Sequence, residues 1–111
     1  MRSAASARLY REDLGHFVEF VRLDGSGEER LALDSLTALR FGLASRGQAL
    51  ATLSAIGSTL ETRHNHAQPH GDWGVMCGYP AYGRGTRLRG KSAFPLRYHN
   101  GSDWPYLDGI Y

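Results

Sequence analysis

Three histidines stand close together in the run His64-Asn65-His66-Ala67-Gln68-Pro69-His70. Imidazoles two residues apart point the same way on an extended chain, and a third, four residues later, can close one face of a zinc ion. Zinc needs a fourth ligand, and the run itself holds no acid or cysteine, so Asp72, Cys77 or His99 would have to be recruited. The expectation is a polar connection following a helix, with His64 facing the helix C-terminal dipole, no bound metal and no cofactor.

A second chemical signal lies further on. Arg84, Arg87, Arg89, Lys91 and Arg97 form a stretch of five cations without an acid, and Phe94 and Tyr98 are interleaved with them. Arginines at alternate positions share one face of a strand and can grip phosphates, while aromatic rings stack on unpaired bases. The same residues can equally be a solvated outer face whose charges blunt a sheet edge. Gly85-x4-Gly90-Lys91-Ser92 matches the phosphate-loop pattern. That loop requires a buried strand before it and a helix after it, and Pro80 and Pro95 stand where those elements should run.

Arg97, Tyr98, His99 and Asp103 are near one another in sequence and are a possible general acid–base set of the kind that cleaves RNA without metal. Geometry defines such a set, and a polar loop ahead of Trp104 is the expectation. Cys77, the single cysteine, lies between Met76 and Gly78 in an apolar run and reads as a small buried side chain rather than a thiolate nucleophile. The outline of helix, glycine turn and helix over 36–60 suggests a DNA-reading motif, but the second helix opens with Gln48, Ala49, Ala51 and Thr52 and offers few base readers. The tail Trp104-Pro105-Tyr106-Leu107-Asp108-Gly109-Ile110-Tyr111 holds five large apolar or aromatic residues. Spacing by three predicts Trp104 and Leu107 buried, with Tyr106 and Tyr111 exposed beside Arg97 as partner anchors.

The elements that must position these residues fall into three segments of one domain, 1–111. Over 1–33, the β-branched and aromatic run from His16 to Leu23, the loop Asp24-Gly25-Ser26-Gly27 and the run Arg30-Leu31-Ala32-Leu33 predict a β-hairpin. Over 34–62, Asp34 is a good N-cap, and Leu36, Leu39, Leu43, Leu50, Leu53 and Leu60 follow helical spacing. Gly47 reads as a break, giving two packed helices at about 34–46 and 48–62. Residues 63–111 hold all four prolines, 8 of 14 glycines and 8 of 12 aromatics. No long helix fits there, and strands are expected at 73–79, 87–89 and 93–98. The fold class is therefore α+β: hairpin, two helices, then a Pro/Gly-punctuated β-rich half.

Composition narrows the function. Residues 1–62 carry 7 Arg against 8 acids, whereas residues 63–111 carry 5 Arg and Lys91 against 3 Asp, so positive charge is concentrated in the aromatic half. No apolar run approaches the roughly 18–20 residues of a membrane-spanning helix. One cysteine allows no internal disulfide, and Met1-Arg2-Ser3-Ala4-Ala5 has no apolar signal stretch, so a cytoplasmic location is expected. The expected function is that of a small non-enzymatic adaptor or inhibitor. It would bind a larger protein or ribonucleoprotein through Arg84, Arg87, Arg89, Lys91, Arg97, Tyr98, Tyr106 and Tyr111, with weak nucleic-acid contact. Direct binding of RNA or single-stranded DNA is the alternative, and a small ribonuclease or His-based metal hydrolase comes third.

Overall fold

The structure, a computed structural model, describes residues 4–83 and 89–111. Its mixed α+β architecture is built around one extended segment, residues 74–79, that hydrogen-bonds to three other parts of the chain. Thr62 N donates to Gly74 O (3.1 Å), and Met76 N donates to Leu60 O (2.9 Å). Leu33 N donates to Cys77 O (3.0 Å), and Cys77 N donates to Ser102 O (2.9 Å). Of the strand expected at 73–79, only Gly78–Tyr79 is regular strand, with isolated bridges at Val75 and Met76, and both of these side chains are buried.

The expected hairpin of 16–23 with 30–33 is replaced by two separate pairings. Helix α1 (Ala4–Leu9) leads into β1 (Tyr10–Arg11), which pairs antiparallel with β2 (His16–Phe17). Tyr10 and Phe17 pack edge to face at 5.0 Å across this pair. The glycine loop does close locally: Val21 and Gly27 form a bridge, Arg22 N donates to Ser26 O (2.6 Å), and Asp24 Oδ1 accepts from Ser26 N (2.9 Å). Beyond it, β3 (Leu31–Ala32) pairs antiparallel with β4 (Gly78–Tyr79). An isolated two-stranded hairpin is marginal in water, whereas joining the central segment buries Leu31, Ala32 and Leu33 to 3% exposure or less.

Two helices follow, as the leucine spacing predicts, with different limits. Helix α2 spans Ser35–Arg40, and Asp34 at its N-cap makes no side-chain capping bond. The break falls at Gly42, whose φ of +69° suits glycine, rather than at Gly47. Helix α3 (Arg46–Thr59) starts with a reciprocal capping box: Gln48 N donates to Ser45 Oγ and Ser45 N donates to Gln48 Oε1. Such a box fixes the helix start without help from packing. The buried face of α3 is Gln48, Thr52 and Ile56, continued by Leu60 at the same spacing of four. Leu50 (60% exposed) and Leu53 (38%) lie outside this face, contrary to the leucine stripe.

Leu31, Leu33, Leu36, Ile56, Leu60, Val75, Met76 and Leu107 make the core. Residues 93–98 do not form the expected edge strand. A 3-10 turn occupies Gly90–Ala93, and Leu96 (φ 60°) and Tyr98 (φ 50°) adopt left-handed backbone that no strand accommodates. Arg87 and Leu88 of the other expected strand lie outside the described residues, and Arg89 is extended. The short helix α4 (Pro105–Asp108) brings Leu107 back into the core. Among the described residues no helix is long and apolar enough to cross a membrane.

The two faces of α3 make different predictions for urea or thermal unfolding. Ile56→Ala should cost about 2–4 kcal/mol, as emptying a fully buried site does. Leu50→Gln should change stability by no more than about 0.5 kcal/mol. A large loss from Leu50→Gln would place the buried face on the leucine stripe.

Candidate functional site

Residues 90–104 wrap around an open cleft of about 640 Å³, lined by Gly90, Lys91, Phe94, Arg97, Tyr98, Ser102, Asp103 and Trp104. Its shape begins with Asn100, which is 1% exposed. The side-chain amide of Asn100 donates to the carbonyls of Tyr82 (3.0 Å), Ser92 (3.1 Å) and Phe94 (3.3 Å), and its Oδ1 accepts from Tyr82 N (2.6 Å). Its backbone closes the turn: Asn100 N donates to Arg97 O and Leu96 N donates to Asn100 O. Tyr98, held left-handed by this turn, offers its carbonyl to Ser102 N (3.2 Å), Trp104 Nε1 (3.3 Å) and Cys77 Sγ (3.5 Å). Strain at a non-glycine residue of positive φ, about 1–3 kcal/mol, persists where the surroundings over-determine it.

The cleft is aromatic and positively charged. Lys91 Nζ lies 5.9 Å from the centre of the Tyr98 ring, and the Arg97 guanidinium 5.8 Å from that of Phe94. Neither cation has a carboxylate within salt-bridge distance among the described residues. Tyr98 meets Trp104 edge to face at 5.2 Å, and His99 stacks on the other ring system of this group, parallel to Trp104 at 5.3 Å and 7°.

Trp104 is also a wall of a smaller cavity of about 270 Å³, whose other lining residues are Glu19, Asp34, Cys77, His99, Tyr106 and Leu107. Of the two carboxylates in this lining, Glu19 is paired from within the fold. Arg30 is 5% exposed, lies 4.6 Å over the Tyr82 ring, donates to His99 O (3.3 Å) and pairs with Glu19 at 3.6 Å. A Cβ on Gly78 would come within 2.5 Å of its Nη2, so glycine is what lets the guanidinium lie against the backbone. Burial, the largest effect, pushes the Cys77 thiol up, which keeps it protonated rather than nucleophilic.

Of the expected binding residues, Lys91, Arg97 and Tyr98 line the larger cleft, and Tyr106 belongs to the smaller cavity. Arg89 is exposed on the approach to the 3-10 turn. Arg84, Arg87 and the glycine of the phosphate-loop pattern, Gly85, lie outside the described residues. Tyr111 is not among the residues lining the larger cleft. Its hydroxyl donates to Glu61 Oε1 (2.7 Å), and burial together with that carboxylate pushes its pKa up to about 12. The acid–base set is divided by Trp104: His99 faces the smaller cavity and Asp103 the larger.

The histidine run does not converge. His64 Nδ1 meets Gly57 O (2.8 Å) at the end of α3, in keeping with the dipole expectation, while His66 is exposed. Among the described residues no three His, Cys, Asp or Glu side chains are placed to hold a metal. Asn100, Trp104 as a wall, and Arg30 escaped the sequence reading. The only local signal for Asn100 is that Gly101 follows it, a turn dipeptide.

Comparison with protein-family models, with curated proteins and with solved structures found no match to this chain.

Asp103 yields a pH test. Its carboxyl is pushed above the ordinary 3.8, first by burial and then by the charge of Asp108, with His70 acting in the opposite sense. An acid whose folded pKa is raised favours the fold while protonated, and that contribution is lost as pH rises through the folded value. Asp103→Asn carries no such charge. Its melting temperature should therefore improve relative to the natural chain between about pH 4 and pH 7. A difference that stays constant or moves the other way would show that burial of Asp103 is not felt.

Proposed function

We propose that the chain is a small non-enzymatic interaction protein, an adaptor or inhibitor working in the cytoplasm, that engages a larger protein or ribonucleoprotein through the cleft around Lys91, Arg97 and Tyr98. The observation that carries this reading is the pair of cations resting on aromatic rings without carboxylate partners among the described residues. Cations held this way are desolvated on one side and remain available to an acceptor from outside. Their aromatic neighbours Phe94, Tyr98 and Trp104 supply the kind of side chain that dominates binding hot spots together with arginine. The cleft volume, about 640 Å³, lies within the range of ligand clefts and has room for inserted side chains.

Direct binding of RNA or single-stranded DNA is a second reading, favoured by one observation: the parallel stack of His99 on Trp104, which a base can extend. Against it, Asp103 lies within the cleft and Glu19 and Asp34 flank the far side of Trp104, where a phosphate backbone would meet carboxylates.

Affinity capture from lysate, with and without nuclease, separates the two. A partner retained after nuclease treatment, and reduced about tenfold or more by Arg97→Glu or Tyr98→Gly, supports the protein-binding reading. Glycine is the informative replacement at position 98 because it removes the ring and tolerates the left-handed backbone. Loss of every captured species on nuclease treatment would move the function to nucleic-acid binding.

A further inference from the structure

We infer, resting on the reading just given, that the two cavities on either side of Trp104 form one groove for an extended peptide segment whose charge runs from acidic to basic across a central aromatic anchor. Trp104 is common to both linings, so a segment leaving one cavity passes directly over the wall of the other. At one end Lys91 and Arg97 present two positive charges that have no carboxylate within salt-bridge distance among the described residues. At the other, Glu19 is already paired with Arg30, and Asp34 presents the carboxylate, spending none of its side chain on capping α2. Tyr106, 62% exposed, adds an aromatic face to that acidic end, where a lysine or arginine side chain gains both a carboxylate and a ring.

The middle of the groove suits a ring. Tyr98 and Trp104 meet at 62° and Trp104 and Tyr106 at 71°, so neighbouring rings present edges and faces at once. An inserted phenylalanine completes such a cluster in the edge-to-face geometry that aromatic groups prefer. The charge order distinguishes a peptide from a polynucleotide. A nucleic acid is negative at every residue and can satisfy only the Lys91 and Arg97 end, whereas a peptide can change sign within three or four residues. Complementary fields of this kind set orientation and exclude wrong partners more than they add raw affinity.

The test uses the full chain carrying Trp73→Phe, which removes an exposed tryptophan so that Trp104 reports alone. The probe is the capped peptide Asp-Glu-Phe-Gly-Lys-Arg, titrated to about 1 mM, the range in which short segments bind. A saturable change in Trp104 fluorescence is expected, weakened about tenfold when the probe's Phe is replaced by Ala or when its charged residues become Asn and Gln. Arg97→Glu should weaken it similarly, and a probe starting Lys-Lys in place of Asp-Glu should restore binding to that variant. Asp34→Asn should weaken the natural probe but not one that ends in Gln-Gln.

Absence of saturable binding overturns the inference, as does equal binding of the uncharged probe. An all-acidic probe that binds as tightly as the bipolar one shows that the second cavity takes no part, and overturns it too. In each case, partner capture that remains sensitive to Arg97→Glu leaves the protein-binding reading standing. Binding of oligouridylate without binding of any peptide overturns both.

Discussion

The buried side-chain amide of Asn100 is the interaction on which the cleft-forming part of the molecule depends. Residues 80–83 and 89–100 contain no regular strand, so their carbonyl and amide groups cannot be satisfied by a ladder. Asn100 replaces the ladder, since one side chain holds backbone groups of Tyr82, Ser92 and Phe94. At roughly 1 kcal/mol net for each bond, these contacts are comparable to the roughly 1–3 kcal/mol of strain at each of Leu96 and Tyr98. The backbone of Asn100 closes the left-handed turn through Arg97 O and Leu96 N, and Arg97 and Tyr98 of that turn line the cleft. Asparagine is suited to the task because it offers both a donor and an acceptor without a charge whose burial would have to be offset.

Arginine serves two opposite ends in this chain, and the neighbourhood decides which. Arg30 is buried against Gly78 and Tyr82, bonded to the His99 carbonyl and paired with Glu19, so its charge is consumed inside the fold. Its contact with His99 O also ties the N-terminal segment to the loop that carries Tyr98. Arg97 rests on an aromatic ring at the rim, and its charge stays available. Removing one partner of a buried ion pair leaves an uncompensated charge and is costly, whereas a rim charge can be changed with little effect on folding. The two roles are therefore separable by substitution even though the residue type is the same.

How much of this was legible in the sequence depends on whether the cause was local. The mixed class, two helices within 34–62 and, among the described residues, no long helix after residue 63 follow from spacing and proline content, and they stand in the structure. The break between the helices was misplaced because Gly42 and Gly47 are equivalent by type, and only the capping box of Ser45 with Gln48 decides between them. Leucine spacing pointed to the wrong face of α3, since Thr52 and Ile56 share the spacing of four that meets Leu60 and the central segment. The hairpin failed for a non-local reason: Leu31 finds its partner at Tyr79, and no pattern within residues 16–33 encodes that. Within the cleft, Lys91, Arg97 and Tyr98 were visible as a basic aromatic run. Asp103 and Trp104 were read as parts of other features, because the strained turn that brings them alongside cannot be seen in residue types.

The tail shows why fold and binding surface can share a few residues without conflict. Leu107 is 8% exposed and belongs to the core, Asp108 Oδ1 accepts from Val75 N (2.9 Å), and Tyr111 is bonded to Glu61 below α3. These three anchors lie on the C-terminal side of Trp104 and outside the larger cleft, while Trp104 Nε1 is held from the other direction by Tyr98 O. Trp104 is thus fixed by contacts that no ligand has to supply. Ordering an aromatic side chain on binding costs affinity, and a wall already ordered by the fold avoids that cost. Tyr106, 62% exposed, stays outside the core and packs edge to face on Trp104 at 6.2 Å. Neighbouring positions on an α-helix point about 100° apart, so this four-residue helix turns Leu107 into the core and leaves Tyr106 exposed.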